Sequence, residues 1–288
     1  MFAVSGITGQ VGGVVARLLL AAGHDVRAVV RDAAKGEVWS KQGCEVALVD
    51  VNDQQALQHA FEGAEGVFVL LLPTFDPTPG FPEARKTIAT LRAALAAAKP
   101  SKVVVLSTIG AQATQPNLLN QLQILEQELG TLPMPVVFLR AAWFIENAAW
   151  DVASARDSGI VPSFLQPLDK RVPMVATADI GCVAADLLRE SWTGRRIVEL
   201  EGPQRISPDM IAESFARLLG CDVSTTAVPR DTWEDLFRSQ GMKNPTPRMQ
   251  MIDGFNAEWI CFEGAENEVR KGRMPLDTVL QSLIEKAS

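Results

Sequence analysis

The chain contains no tyrosine. It has two histidines, His24 and His59, and four cysteines, Cys44, Cys182, Cys221 and Cys261, spaced far apart. Each shortage removes a class of chemistry. With no Cys-x-x-Cys pair and no histidine cluster, the sequence offers no zinc spacing, and no metal is expected. Cysteines this scattered do not make a disulfide framework and read as buried free thiols. His24 falls in a turn and His59 on an alanine-rich helix. Neither neighbours a serine elbow, which argues against a Ser-His-Asp hydrolase. No Walker lysine follows the early glycines, so phosphoryl transfer is not indicated. No run of about 18 apolar residues occurs, and the first strand starts at residue 2, so the expectation is a cytoplasmic protein without a membrane segment. Positive charge is short too. The net charge of -7 over 288 residues argues against nucleic acid or a membrane surface as partner.

What is present is a regular alternation of apolar runs and helical patterns. Phe2 to Val4 reads as a short buried strand, followed by glycines at 6, 9 and 12 and then a helix over Val14 to Ala22. Strand, glycine-rich turn and helix form the context that a dinucleotide phosphate needs. Gly6 permits the turn, Gly9 admits the pyrophosphate, and Gly12 lets the helix pack on the strand. Helix N–H groups then face the phosphates. Thr8, Gln10 and Val11 lie in the same turn and are expected to contact the cofactor.

A second strand, Val26 to Val30, ends at Arg31. An acidic residue there would suit the ribose hydroxyls of NAD, whereas a cation suits the 2′-phosphate of NADP. Arg31, with Lys35 close behind, points to NADP; the alternative is a solvated surface arginine. The third strand, Glu45 to Val49, is closed by Asp50 and Val51. Asp50 is either a contact to the adenine edge or a turn aspartate. Gln54 to Phe61 is a helix and Gly66 to Leu72 a fourth strand, apolar throughout as in sheets buried on both faces. The next loop holds four prolines between Pro73 and Pro82, which forbids helix or central strand. It either roofs the substrate pocket or is a rigid connector. Leu71, Leu72 and Pro73, at its start, are expected to border the cofactor.

Glu83 to Ala98 is a helix, Lys102 to Leu106 a strand, Leu118 to Leu129 a helix and Val136 to Leu139 a strand. Ser107 and Ala141 follow these strands and join the expected cofactor contacts. The fold class implied is α/β: a Rossmann-type doubly wound parallel sheet with a smaller, mostly helical C-terminal lobe. Residues 1–150, with return elements over about 175–202, form the nucleotide-binding domain, and 151–174 with 203–288 the substrate lobe. Thr177 is a candidate N-cap for a helix over Ala178 to Glu190, and Arg196 to Leu200 a strand. Ser207 caps a helix through Leu219, Thr232 starts another, Gly241 to Arg248 is a loop, and Pro275 to Lys286 closes as a helix.

Four stretches resemble a known family. Gly6-Ile7-Thr8-Gly9-Gln10-Val11-Gly12 and Ala28-Val29-Val30-Arg31-Asp32 look like motifs of the atypical short-chain dehydrogenase/reductases. Arg140 to Asn147 and Thr177-Ala178-Asp179-Ile180-Gly181 look like later landmarks of its NmrA-like branch. Within that branch the likeness is to NAD(P)H:quinone and azo-compound reductases. It spans residues 1 to about 202, and implies an active-site cleft between the Rossmann domain and the lobe. The family also holds NADPH-binding regulators not known for catalysis.

The missing tyrosine now bears on the reaction. Tyrosine-dependent members of the superfamily use a Tyr-x-x-x-Lys pair on the helix that here runs Leu118 to Leu129. Asn120, Gln121 and Gln123 stand there, and none has a pKa suited to proton donation. Between Val103 and Asp169 there is also no lysine, histidine or cysteine. Reduction of an unactivated ketone, epimerisation and dehydration are therefore disfavoured. A quinone-like acceptor gives a delocalised, weakly basic anion that water protonates, so positioning alone suffices. Ser107, Thr108 or Asn147 would donate to the oxygen where charge develops. Phe75, Trp143, Phe144 and Trp259 would supply flat walls, or else belong to the core. The expectation is an NADPH-dependent reductase of a small planar acceptor, with a homodimer as one allowed assembly. The alternative is a non-catalytic NADP(H) sensor acting through a protein partner.

Overall fold

The apolar runs and the helices between them alternate along most of the chain, in a computed structural model that describes residues 1–72 and 74–287. The strands are β1 (Phe2–Ser5), β2 (Val26–Val30), β3 (Glu45–Leu48), β4 (Gly66–Leu70), β5 (Lys102–Thr108), β6 (Val136–Ala141), β7 (Trp143–Phe144), β8 (Ile160–Ser163), β9 (Met174–Val175), β10 (Arg195–Glu201), β11 (Ser224–Ala227) and β12 (Arg270–Lys271). The helices are α1 (Gln10–Ala21), α2 (Ala33–Ser40), α3 (Gln54–Phe61), α4 (Pro82–Ala98), α5 (Asn120–Leu129), α6 (Val152–Ser158), α7 (Thr177–Arg189), α8 (Pro208–Leu219), α9 (Trp233–Ser239), α10 (Thr246–Asn256) and α11 (Leu276–Lys286), with a 3-10 turn over Ile145–Trp150.

Eight strands build one parallel sheet in the order β12-β10-β6-β5-β4-β1-β2-β3. The chain runs outward from β1 to β3, then returns to lay β4 on the other side of β1. That reversal opens a crevice beyond the carboxyl ends of β1 and β4, where Rossmann-type sheets take their ligands. Side chains alternate between the two faces. Val4, Phe68, Val104 and Val137 pack with Val15, Leu19, Ile180 and Leu188 on the α1/α7 side. Ala3, Val67, Val105 and Phe138 pack with Phe61, Ile88, Leu95 and Leu125 on the other. A Cβ on Gly181 would sit 2.5 Å from Cβ of Val14, so α1 and α7 touch there backbone to side chain. A third core, around Trp233, Phe237, Phe215, Ile252 and Leu280, joins the C-terminal helices to Ile109, Leu118 and Ile145.

Several details differ from the sequence reading. Residues 33–40 form α2, capped by Asp32, whose carboxylate accepts from Lys35 N. Only Gly36 and Trp39 of that helix are buried, so it carries no apolar stripe to read. Thr177 is not a side-chain cap. It opens α7 after Ala176, and its hydroxyl turns to Glu146. The expected loop 241–248 stops at Pro245, and Pro247 lies in the first turn of α10, where a missing N–H costs nothing. Ser207 does cap α8, accepting from Met210 N. Cys44 alone of the four free cysteines is buried; Cys182, Cys221 and Cys261 are exposed. The chain also sends β12 back to the edge of the main sheet, beside β10. Among the described residues, no helix is long and apolar enough to cross a membrane.

Candidate cofactor and acceptor site

The turn after β1 is built by two glycines that the fold itself requires. Gly6 has φ +63°, and a Cβ there would meet Leu70 Cδ2 at 2.7 Å. A Cβ on Gly12 would lie 2.4 Å from the Gly6 carbonyl oxygen, because α1 rests directly on the turn. Gly9 is different. Its φ of -91° is open to any residue, and a Cβ would meet only Gly6 O, at 3.2 Å. The fold asks less for glycine at 9 than at 12, since Gly6 O need yield only a few tenths of an ångström, but a ligand lying on the bare backbone would ask for it. Thr8, Gly9 and Gln10 are exposed and Val11 is buried. Helix α1 has no side-chain cap and no acid in its first turn, so its opening N–H groups and positive dipole end are left to an anion.

At the end of β2, Arg31 and Lys35 are both exposed. Arg31 has no ion pair among the described residues, and the neighbouring Asp32 is engaged as the α2 cap. Asp50 is a turn aspartate: Oδ1 accepts from Asn52 N at 2.9 Å and from Asn52 Nδ2 at 3.3 Å. Val51 beside it is half-buried.

At the carboxyl ends of β4 to β6, Leu71 and Ala141 are buried and Leu72 is exposed; Pro73 lies outside the described residues. Register explains a polar cluster here that the sequence reading missed. Ser107 on β5 pairs with Arg140 on β6, and Arg140 with Glu199 on β10, so the three share one face. Glu126 of α5 covers them. Its carboxylate accepts from Ser107 Oγ at 2.5 Å and from Arg140 Nε and Nη2 at 2.9 and 2.7 Å. Arg140 also donates to Gln112 Oε1 and Glu263 Oε2. Burial works against the Arg140 charge, but Glu126 and then Glu263 outweigh it and hold the guanidinium above the usual arginine range. Glu126 thus takes up the Ser107 proton donor.

Thr108 Oγ1 makes one long hydrogen bond to Ile109 O, at 3.2 Å, and Asn147 is half-buried with no hydrogen bond from its side chain among the described residues. Next to it, Glu146 Oε1 accepts from the amide and the hydroxyl of Thr177, and that hydroxyl also lies 3.1 Å from Gln10 Oε1. Glu146 Oε2 is buried without a partner among the described residues, as is Ser5 Oγ at the end of β1. An orphaned carboxylate oxygen beside the start of α1 seeks a donor. Together with the glycine cradle and the unpaired Arg31, it fits a dinucleotide with amide or hydroxyl groups to offer.

The expected aromatic wall is divided. Phe144 packs into the α1/α7 core. Trp143 meets Phe255 edge-to-face at 5.1 Å, and Trp143 and Trp259 both pack on the C-terminal core. Phe75 remains exposed and stands edge-to-face with Trp150, 6.5 Å away. Its loop is fastened to the C-terminal half. Asp76 accepts from Lys243 N and Asn244 N at 2.9 and 2.7 Å, and Pro77 O accepts from Asn244 Nδ2. Those two amides pull the Asp76 carboxyl below the usual range. Trp150, Asp76 and Glu126 gave no sequence signal, because each acquires its role from a partner remote in the chain.

Comparison with known proteins places this geometry in context. The chain is 28% identical over 249 residues to an NAD(P)H azoreductase of Xenophilus azovorans, covering 84% of this chain and 82% of the relative. It is 24% identical over 244 residues to quinone oxidoreductase 2 of Escherichia coli, with coverage of 84% and 82%. The fold matches the crystal structure of an Escherichia coli NADPH-dependent quinone oxidoreductase complexed with NADPH, at a TM-score of 0.81 and 20% identity over 100% of both chains. A family model matches residues 1–259, further than the likeness read from the sequence motifs, and the chain belongs to the NmrA-like family.

Proposed function

We propose that the protein is an NADPH-dependent reductase that delivers hydride to a quinone-like or other planar electrophilic acceptor. The carrying observation is the cradle itself: bare backbone at Gly9, an uncapped α1 and an Arg31 at the end of β2 without an ion pair among the described residues. The named relatives, an azoreductase and a quinone oxidoreductase, support the same class. Bound NADPH would supply the hydride; the chain supplies alignment. Gly6 to Gly12 and the start of α1 would hold the pyrophosphate, with Arg31 and Lys35 at the 2′-phosphate. Glu146 Oε2 would take a donor from the nicotinamide half.

Between Val103 and Asp169 the chain has no tyrosine, lysine, histidine or cysteine to act as an acid. The Ser107 hydroxyl already donates to Glu126. That favours an acceptor whose reduced anion needs no enzymic proton, with Thr108 and Asn147 left to donate a hydrogen bond. The Rossmann sheet would carry the cofactor, and the 151–174 and 203–288 segments would form the lobe that closes on the acceptor.

The test is NADPH consumption with and without a simple quinone, beside titration of NADPH and NADH into the wild-type protein and Arg31→Ala. Quinone-dependent turnover is expected. Arg31→Ala should weaken NADPH about 10- to 100-fold, the worth of one charge-assisted contact, and leave NADH nearly unchanged. Equal loss for both cofactors would remove the 2′-phosphate role. Tight NADPH binding without turnover on a broad acceptor panel would turn the reading to a redox sensor.

A further inference from the structure

Arg248, in the first turn of α10, is half-buried between two aromatic rings. Its guanidinium carbon lies 4.5 Å from the Phe237 ring centroid and 5.8 Å from that of Trp150. One N–H reaches the Met242 sulfur, at 3.7 Å, which is a weak acceptor. No carboxylate among the described residues pairs with it, and burial pushes its pKa down. Arg230, from the same half of the chain, shows the usual arrangement instead, with two hydrogen bonds to Asp253. Ring faces attract the Arg248 charge, but they accept nothing from N–H groups lying in the guanidinium plane. A partly desolvated cation with most of its donors unspent is a receptor for an anion.

Its surroundings say what kind of anion. Trp150 is 67% exposed and Phe75 47% exposed. Trp150 ends the 3-10 turn that follows β6 and β7, and Phe75 lies in the loop after β4, so both come from segments that leave the carboxyl ends of sheet strands, the side where the reductase reading puts the nicotinamide. An exposed apolar corner, two rings set edge-to-face, thus adjoins an unspent guanidinium. We propose that Phe75, Trp150 and Arg248 form the acceptor subsite, and that it takes planar aromatic acceptors bearing a carboxylate or sulfonate. The exposed Trp150 ring, with Phe75 set edge-on to it, would line the aromatic frame, and the Arg248 fork would take the anionic group. The net charge of -7 repels anions at long range, so their capture needs a local receptor of this kind. The subsite rests on the reductase reading for its chemistry, though not for its ability to bind.

The experiment compares kcat/KM for 1,4-naphthoquinone and its 2-sulfonate in wild type, Arg248→Gln and Arg248→Lys. The sulfonate-to-neutral ratio should fall about 10- to 100-fold in Arg248→Gln and partly recover in Arg248→Lys, which restores charge without the fork. Trp150→Leu should lower both substrates together and leave the ratio in place. An unchanged ratio in a folded Arg248→Gln protein overturns the proposal. A second readout is independent of turnover: naphthalene-2-sulfonate binding, followed by tryptophan fluorescence, should weaken by a similar factor in Arg248→Gln. Sulfonate binding that depends on Arg248 in a protein that reduces no quinone would keep the anion site and sink the reductase reading. Wild-type protein that binds naphthalene-2-sulfonate no better than naphthalene would sink the site.

Discussion

The Ser107 hydroxyl donates to the Glu126 carboxylate at 2.5 Å, and the same carboxylate holds Arg140 by two further bonds. Ser107 is 4% exposed and Arg140 3%. This joins β5, β6 and α5 at the edge where chemistry is expected, and it has two separable consequences. Removing Glu126 leaves a buried guanidinium short of its main partner. Glu126→Ala should cost about 3–5 kcal/mol in urea unfolding, toward the low end because Glu263 and Glu199 remain. Ser107→Ala, which only deletes one donor, should cost about 1–2 kcal/mol. Its kcat with a quinone should stay within about tenfold of wild type. A fall of 100-fold or more is what loss of a donor to the developing oxyanion gives, and would return Ser107 to the catalytic centre.

Gly9 and Gly12 separate binding from folding. A Cβ at 12 would collide with three atoms of the Gly6–Ile7 peptide unit, the nearest 2.4 Å away, and backbone cannot step aside cheaply. Gly12→Ala should therefore destabilise the protein by about 2 kcal/mol or more, as overpacked sites do. At position 9 the added atom meets one carbonyl oxygen at 3.2 Å in ordinary backbone conformation. Gly9→Val should cost less stability than Gly12→Ala, the Gly6 carbonyl yielding by a few tenths of an ångström, and should lose NADPH affinity by 100-fold or more, about 2.7 kcal/mol. Calorimetry with and without NADPH reads both quantities. Unchanged affinity in Gly9→Val would mean that the phosphates do not cross this backbone.

Asp151, at the start of α6, has its carboxyl pushed up to about 7 by burial, with no compensating donor. Between about pH 4, where a free aspartate titrates, and about 7, the folded protein keeps a proton that the unfolded chain has released. Stability from this group is therefore greatest in acid, declines as pH rises through that window, and is fully lost above it. Asp151→Asn removes the group from titration. The stability of the variant relative to wild type should rise between pH 4.5 and 8, measured by denaturant unfolding at both pH values. A constant difference would show that the carboxyl is solvated and titrates normally.

The framework was legible in the sequence because local physics dictates it. The apolar strands, the glycine turn and the Ser207 cap can be read from neighbours a few residues apart. Arg31 could also be read, since its place follows from the length of the first βαβ unit. The acceptor side could not. Phe75, Trp143, Phe144 and Trp259 are equally aromatic in the sequence, yet three of them are half-buried with one side against a core and Phe75 is exposed. Its companions Trp150 and Arg248 are 98 residues apart and meet only after α10 docks. Helix α2 was missed for the opposite reason: it buries too little to leave a periodic trace.

Asp76 bears on whether the proline-rich loop is a passive connector or part of the site. Its carboxylate accepts from Lys243 N and Asn244 N, which fixes the loop carrying Phe75 against the segment leading into α10. With the carboxyl held below its usual range, the clasp persists down to pH values where most aspartates are protonated, and opens only as pH falls through that lowered value. Asp76→Ala leaves the two amides to water and frees Phe75 from Trp150. Amide exchange should quicken at residues 74–81 and 243–247 while the β-sheet core stays protected. If the loop roofs the acceptor, KM for a quinone should rise several-fold with little change in NADPH affinity, since the cradle at Gly6 to Gly12 is untouched. Faster exchange with unaltered KM would leave the loop a connector, and would place the acceptor elsewhere than on Phe75.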